Sequence, residues 1–313
     1  MLKVTVEDFA YSFGVKPEDF STQCRELIDE TDFAYRIIEG KERDELIVKI
    51  LRRINADQQK IGAEERHAIW DKGWAENLKS FMENQRDLTS LKPKFIRTNQ
   101  PIRFNSQFIM PSNPNFEHDF FAVFRMWLFQ QYFSDESLHF VYDFGCGTGF
   151  NLVPLAKIYP HKQLFGLDFA PSACDLINKI AGVYGWNLKG QLFDMIAPDD
   201  NFRLETGAVA FTSGSIEQVA SRFEDFLQYL INNNPALCVH IEPTLELYSD
   251  NNLLDYLAIQ FHTRRGYTHG FLPRLQELEA EGLIELLKVK RLFFGGLMME
   301  GFSLIIWRPI QSK

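Results

Sequence analysis

Three glycines that could form a ligand-binding loop separate a short apolar strand from a helix. In VYDFGCGTGFNL, residues 141–152, they are Gly145, Gly147 and Gly149. Glycine permits tight turns and lets a ligand approach the backbone closely, and the following helix N-terminus offers unpaired N–H groups. In doubly wound sheets, ligands with a nucleotide part bind here, beyond the carboxyl ends of the strands. The stretch therefore predicts a site for a ligand of that kind.

The spacing of the glycines discriminates between such ligands. A dinucleotide fingerprint has the pattern G-x-G-x-x-G, but this chain has G-x-G-x-G, with Phe150 at the position of the last fingerprint glycine. A bulky side chain there obstructs close packing of helix on strand, which disfavours NAD or FAD but leaves them open. No G-K-[ST] follows, so the loop is not a Walker A motif.

Two carboxylates end the next two strands. Asp168 lies in LFGLDFAPSA and Asp194 in GQLFDMI. A carboxylate can accept two hydroxyl donors at once, which suits a ribose diol. Together with the glycines, the string DFGCGTG resembles the first motif of class I S-adenosylmethionine-dependent methyltransferases, and the resemblance covers about residues 137–313. The chain before residue 130 resembles no family.

The resemblance implies a set of cofactor contacts. Asp168, followed by Phe169, would bind the ribose hydroxyls, and Asp194 the adenine amine, with Met195 packed on the adenine ring. Asp143 and the glycine loop would face the methionine end, and Ser213 the sulfonium. Taken alone, each of the two strand-end acids is also compatible with a helix-capping role. The loop residues assigned to the cofactor are Gly145, Cys146, Gly147 and Gly149, with Cys146 a small filler rather than a nucleophile.

By the logic of this fold, the methyl acceptor lies at the ends of the fourth and fifth strands. These are FTSGSIEQV, 211–219, and VHIEPTLELY, 239–248. We assign His240 and Glu242 as candidate catalytic groups, and Glu217 and Gln218 as candidate substrate contacts. A histidine inside an apolar strand is also compatible with a buried structural role.

Two polar segments could complete the acceptor site. HTRRGYTHG, 262–270, offers Arg264, Arg265 and Tyr267 for an anionic group on the acceptor. IRFNSQFIMP, 102–111, is a candidate lid, with Arg103 and Asn105 as polar contacts. The alternatives are a solvated surface loop for the first segment and a packed interdomain linker for the second.

The elements that position these groups fall into two regions. Before about residue 135 the apolar spacing is mostly helical, including one helix pattern that ends at Gly40 and a strongly apolar helix at 116–133. After residue 137, strands and helices alternate, which predicts an α/β Rossmann-like doubly wound, seven-stranded, mostly parallel sheet. The last strand should be antiparallel because its connection is too short for a crossover. We place an N-terminal helical extension with the lid at 1–115 and the methyltransferase domain at 116–313.

Composition narrows the function classes. The 313 residues carry a net charge of −9, whereas a duplex binder usually presents a basic face. The absence of N-P-P-[YF] after the fourth strand also disfavours nucleic-acid base methylation. No apolar run approaches a bilayer span, no signal-peptide core opens the chain, and the four cysteines form no CxxC pair. We therefore expect a cytoplasmic protein with reduced thiols and no metal site; the oligomeric state stays open, a homo-oligomer included.

These observations together predict an S-adenosylmethionine-dependent methyltransferase that acts on a small molecule at O or N by in-line transfer. One rival is a non-catalytic protein that binds the cofactor as a scaffold. Others are an NAD-dependent oxidoreductase with a degenerate loop and a nucleic-acid methyltransferase. The sequence does not identify the acceptor.

Overall fold

The computed structural model describes residues 1–61, 64–93 and 96–310. Within these ranges the helices are α1 (Val6–Phe13), α2 (Thr22–Glu30), α3 (Gly40–Ala56), α4 (Glu64–Glu83), α5 (Phe116–Tyr132), α6 (Leu152–Ile158), α7 (Pro171–Tyr184), α8 (Glu224–Asn233), α9 (Leu253–Arg265) and α10 (Phe271–Ala280). The strands are β1 (Leu2–Lys3), β2 (Ala34–Ile37), β3 (Ile102–Phe104), β4 (Gln107–Pro111), β5 (Phe140–Phe144), β6 (Gln163–Asp168), β7 (Leu188–Leu192), β8 (Ala208–Ser213), β9 (Leu237–Glu242), β10 (Ile284–Arg291), β11 (Phe294–Gly295) and β12 (Ser303–Pro309).

Seven of these strands form the main sheet, in the order β10-β12-β9-β8-β5-β6-β7. The five strands from β5 to β9 are mutually parallel, and β12 runs antiparallel to both of its neighbours. The predicted fold class is confirmed. The chain moves outward from β5 to β6 and β7 and then returns to β8 on the other side of β5. This reversal opens a crevice at the carboxyl ends of β5 and β8, where ligands bind in such sheets.

A second, smaller sheet was not predicted from the sequence. It has the order β1-β2-β4-β3-β11 and is antiparallel throughout. The helix pattern predicted to end at Gly40 is wrong after residue 30, because 34–37 pair with β4 as a strand. The candidate lid segment, 102–111, contains the β3–β4 hairpin, which is turned by Asn105 and Ser106 with φ of 46° and 59°.

The N-terminal region shares one core with the rest of the chain. Phe9 on α1 lies 4.8 Å from Phe120 on α5 between ring centroids, and Phe13 on α1 lies 5.1 Å from Trp127. The predicted boundary after residue 115 therefore falls between elements that share a sheet and a core. No helix in the described ranges is long and apolar enough to cross a membrane.

Between β8 and α8 the chain forms a turn and an irregular segment. A short 3₁₀ turn spans Ile216–Val219, Ala220 has a φ of 54°, and α8 begins only at Glu224. Ser215 does not cap the turn, because its hydroxyl donates to the carbonyl of Phe144 at 2.7 Å. That bond holds the end of β8 against the glycine loop.

Candidate functional site

The glycine loop is fastened to the neighbouring strand by its own backbone. The amides of Gly145 and Cys146 both donate to the carbonyl of Leu167, at 2.7 and 3.0 Å. The amide of Gly147 donates to Oδ2 of Asp168 at 3.0 Å. The loop is thereby held against the carboxyl end of β6.

Each glycine of the motif has a positive φ and a close neighbour. A Cβ at Gly145 would overlap the side chain of Ser215, and one at Gly147 would lie 2.9 Å from Cζ2 of Trp74. At Gly149 the nearest atom would be Cδ1 of Ile177, at 2.5 Å. Because the glycines lack side chains, three other elements can pack closely against the loop: the end of β8, α4 and α7.

Asp168 is buried at the centre of this arrangement, with 3% of its surface exposed. Its Oδ1 accepts the amide of Ala170 at 2.9 Å, while Oδ2 accepts the amide of Gly147. Burial raises the pKa of this carboxyl group to about 6, although the backbone N–H donors oppose the shift. A carboxylate offers about four lone-pair positions, so two remain for hydroxyl donors.

Asp168 faces a small cavity of about 80 Å³. Phe169, Asp194 and Met195 line the same cavity. Asp194 accepts the amide of Ile196 at 2.8 Å through Oδ1. The sequence-predicted residues of the adenosine side are therefore brought together, with apolar side chains beside two carboxylates.

Helix α4 covers this cavity, a role that the sequence analysis missed. Trp70 and Trp74 stack at 5.2 Å and line the cavity, and His67 stacks on Phe169 at 4.4 Å. Asp71 fixes the helix, because Ser172 donates to it through its amide at 3.0 Å and its hydroxyl at 2.6 Å. Two tryptophans four residues apart were the available signal, but the same spacing also fits ordinary core packing.

A larger cavity of about 290 Å³ adjoins the small one. The two share lining residues from α4, the glycine loop and the end of β8. The cysteine of the loop, Cys146, lines the large cavity, and so does Ser213, as predicted for the sulfonium side. The shared residues are Arg66, Trp70, Trp74, Gly145, Gly214 and Gln218.

Arg265 and Tyr267 also line the larger cavity. Nε of Arg265 pairs with Oδ2 of Asp57 at 2.9 Å, and its NH1 donates to the Tyr267 hydroxyl at 2.8 Å. These partners hold the guanidinium in place. Arg264 is exposed and turns away, donating to the carbonyl of Asp57 at 2.9 Å. Of the predicted arginine pair, the structure brings only Arg265 to the cavity.

Two glutamates face the larger cavity. Glu217, predicted from the sequence, accepts a bond from Nε2 of Gln218 at 2.6 Å, and burial beside Glu242 raises its pKa to about 8. Glu117 on α5 was missed. Burial raises the pKa of Glu117 to about 7, and its Oε2 has no hydrogen-bond partner among the described residues. Its only sequence signal was a position in the first turn of an apolar helix.

The structure places His240, the predicted catalytic base, inside the main sheet. It is fully buried, its Nδ1 lies 2.9 Å from the Thr212 hydroxyl, and its Nε2 accepts Nε1–H of Trp307 at 2.9 Å. Burial lowers its pKa to about 3. Both ring nitrogens are engaged in the sheet and neither cavity reaches them.

Glu242 is likewise outside the cavity lining. Its carboxylate accepts the amides of Ser215 and Glu217 at 3.1 and 3.3 Å. These bonds make Glu242 a positioning residue that holds the 213–217 loop, and its predicted catalytic contact stays a prediction.

Four other predicted contacts lie away from the cavities. Gly149 packs on α7, and Asp143 is buried within β5 with burial raising its pKa. Arg103 is fully buried and donates to the carbonyls of Leu297, at 3.1 Å, and Leu254. Asn105 lies in the hairpin turn. Neither Arg103 nor Asn105 lines either of the two cavities.

A buried charge network holds the segment that closes the far side of the larger cavity. Arg291 pairs with Asp255 at 2.5 Å and with Glu300 at 2.6 Å. The backbone amide of Glu300 donates to the Tyr248 hydroxyl at 3.1 Å. These bonds fix the 296–302 segment, which contributes Met298 and neighbouring residues to the lining.

Comparison with known proteins adds information on the fold alone. No protein-family model matches the sequence, and no curated protein matches it. The chain is similar in structure to class I S-adenosylmethionine-dependent methyltransferases over about 60% of its length. A geranyl diphosphate methyltransferase solved with GPP and sinefungin has 11% identity and a TM-score of 0.44, covering 61% of this chain and 79% of its own.

Two further structures have comparable similarity. Human N-acetylserotonin methyltransferase, solved in complex with SAM, has 12% identity and a TM-score of 0.39, with coverage of 61% of this chain and 55% of its own. The [4+2]-cyclase SpnF has 11% identity and a TM-score of 0.46, with coverage of 60% and 81%.

Proposed function

We propose that this protein is an S-adenosylmethionine-dependent methyltransferase that acts on a small-molecule acceptor at oxygen or nitrogen. The observation that carries the proposal is the pair of adjoining cavities at the reversal point of the sheet. One holds the strand-end carboxylates Asp168 and Asp194, and the other holds the glycine loop and titratable side chains.

The residues present fit the adenosine part of the cofactor. Asp168 keeps two lone-pair positions for the ribose hydroxyls after accepting two backbone amides. Asp194 keeps Oδ2 for the adenine amine, and Met195 and Phe169 offer apolar surfaces to the ring. When bound, the cofactor supplies an electrophilic methyl group on a sulfonium.

The chain's own residues perform three tasks in this proposal. The tryptophans of α4 cover the crevice and exclude water. The glycine loop and the end of β8 align the two cavities, so that an acceptor is held near the methyl group, and placement supplies much of the rate enhancement. Oε2 of Glu117 takes the proton of an O–H or N–H acceptor, since a carboxyl group with a pKa of about 7 is suited to general-base work.

Calorimetry with S-adenosylhomocysteine tests the cofactor assignment, with NAD titrated in the same buffer. We expect micromolar binding of S-adenosylhomocysteine and none of NAD. Binding of NAD instead would favour an oxidoreductase, and binding of neither compound would overturn the proposal.

A turnover assay separates an enzyme from a scaffold. Candidate acceptors are incubated with methyl-labelled S-adenosylmethionine, and Glu117→Gln is compared with the parent. Transfer that falls by about 10²-fold or more in the variant, with unchanged S-adenosylhomocysteine affinity, supports a base at Glu117. Cofactor binding without transfer to any acceptor would favour the scaffold.

A further inference from the structure

The larger cavity has a charge opposite to that of the protein. The chain carries a net charge of −9, yet four arginines line this cavity against two glutamates. The arginines come from separate parts of the chain, α3, α4, the 96–100 segment and the end of α9. They are Arg53, Arg66, Arg97 and Arg265. A cleft lined by one sign of charge concentrates ligands of the other sign.

The arginines are arranged by depth. Arg53 and Arg97 are exposed at the mouth, whereas Arg66 and Arg265 are partly buried. Arg265 has its own carboxylate partner, Asp57, at 2.9 Å. Nε of Arg66 is buried with no hydrogen-bond partner among the described residues, although its guanidinium lies 5.1 Å from the Trp70 ring. The inner cationic surface is therefore only partly neutralised by the protein.

The guanidinium groups are close enough to oppose one another. The positive charges of Arg97 and Arg265 lower the pKa of Arg53, after the larger effect of burial. Arg265 acts in the same way on Arg66. Like charges held together are unfavourable until a counter-charge arrives. The two lining glutamates, Glu117 and Glu217, have pKa values raised to about 7 and 8, so neither carries a full negative charge at neutral pH.

The remaining lining is apolar. Phe121, Phe150 and Phe261 share the cavity with methionine side chains. A ligand that matches both surfaces has an apolar or aromatic body and an anionic group. Arginine forks bind carboxylate and phosphate oxygens in pairs of hydrogen bonds.

We propose that the acceptor of this site is an apolar or aromatic small molecule with a carboxylate or phosphate group, which Arg66 and Arg265 bind while Arg53 and Arg97 attract it at the mouth. The inference rests on the proposed methyltransferase function and adds the chemical class of its substrate. The carboxylate of a bound cofactor is the competing use of these arginines, and the experiment separates the two.

The test is calorimetry with three ring compounds of similar size, at saturating S-adenosylhomocysteine and again without it. Benzoate and phenyl phosphate are the anionic probes, and benzyl alcohol is the neutral one. We expect at least one anion to bind about tenfold or more tightly than benzyl alcohol, and the tighter of the two identifies the anionic group. Added salt should weaken anion binding but not that of the alcohol.

Variants assign the effect to the cavity. Arg66→Gln and Arg53→Gln should each weaken binding of the preferred anion. The loss should be about tenfold for Arg66, the inner residue. Arg52→Gln is the matched control, because Arg52 neighbours Arg53 on α3 but is exposed outside the lining. Thermal midpoints verify that all variants are folded.

Three outcomes would overturn the inference: equal affinity for the neutral probe, no anion binding at millimolar concentration, or competition of the anion with S-adenosylhomocysteine. The last would assign the arginines to the cofactor's carboxylate. If S-adenosylhomocysteine itself does not bind while the anions still bind through Arg66, the anion site stands and the methyltransferase proposal fails.

Discussion

The backbone amide of Gly147 donates a 3.0 Å hydrogen bond to Oδ2 of Asp168, joining the glycine loop to the acid that ends the next strand. The carboxylate therefore has two tasks, since it shapes the loop and also faces the small cavity. A change at Asp168 must act on both.

Replacing Asp168 by asparagine should weaken the binding of S-adenosylhomocysteine by more than about tenfold, because an amide has one acceptor oxygen where the carboxylate has two. Calorimetry measures the loss. Asp175→Asn on the exposed face of α7 serves as the control and should bind normally. Unchanged affinity in Asp168→Asn would contradict the ribose assignment.

Gly147→Val should abolish binding of S-adenosylhomocysteine and lower the free energy of unfolding by about 1–3 kcal/mol. The position has a φ of 50°, and a Cβ would lie 2.9 Å from Trp74. Calorimetry and denaturant unfolding measure the two effects. Gly182→Ala, on α7 with no atom within 4 Å of the added Cβ, should instead be neutral or stabilising. Normal binding by Gly147→Val would mean that the loop does not hold the cofactor.

Arg291→Gln should destabilise the protein by about 3–5 kcal/mol, because it leaves the buried carboxylates of Asp255 and Glu300 without their cation. Arg308→Gln is the control in the same sheet. Its pair with Glu285 is exposed, so its loss should cost less than about 1 kcal/mol. Denaturant unfolding of both variants gives the comparison, and equal losses would show that the Arg291 network does not stabilise the fold.

The pH dependence of the free energy of unfolding should reflect the raised pKa of Glu242. Its folded-state pKa is raised from 4.5 to about 7, so the folded protein holds this proton more tightly than the unfolded chain. Its contribution to stability is therefore greatest below pH 4.5 and declines as the pH rises to about 7.

His240 acts in the opposite direction. Its folded-state pKa is lowered from 6.5 to about 3, so the unfolded chain binds the proton more tightly and stability falls as the pH drops below 6.5.

Comparison of wild type with Glu242→Gln removes this carboxyl group, while both proteins keep His240. Between pH 5 and pH 7.5 the free energy of unfolding of the wild type should fall by up to about 3 kcal/mol more than that of the variant, as measured by denaturant unfolding. Parallel curves for the two proteins would contradict the raised pKa.

Local patterns in the sequence were sufficient for the main sheet and half of the site. Glycine spacing after an apolar strand predicted the loop, and the ends of the next two strands predicted where Asp168 and Asp194 lie. Both follow from chain-local chemistry, because the carboxyl ends of parallel strands meet at one edge whatever else packs around them.

Strand β9 marks the point where local patterns fail. All of its residues are buried, so no alternation of polar and apolar residues distinguishes its two faces. Only the packing of β12 shows that His240 bonds to Trp307 instead of a ligand.

Local sequence patterns specified the main sheet, its ligand-binding edge and the strand-end acids. The tertiary structure alone decided that α4 covers the crevice, that Glu117 faces it, and that Arg53, Arg66 and Arg265 meet there. These residues are far apart in the chain, and helical periodicity specifies which of them share a face but not what that face meets. That pairing is fixed when the N-terminal helices and the sheet pack into one core.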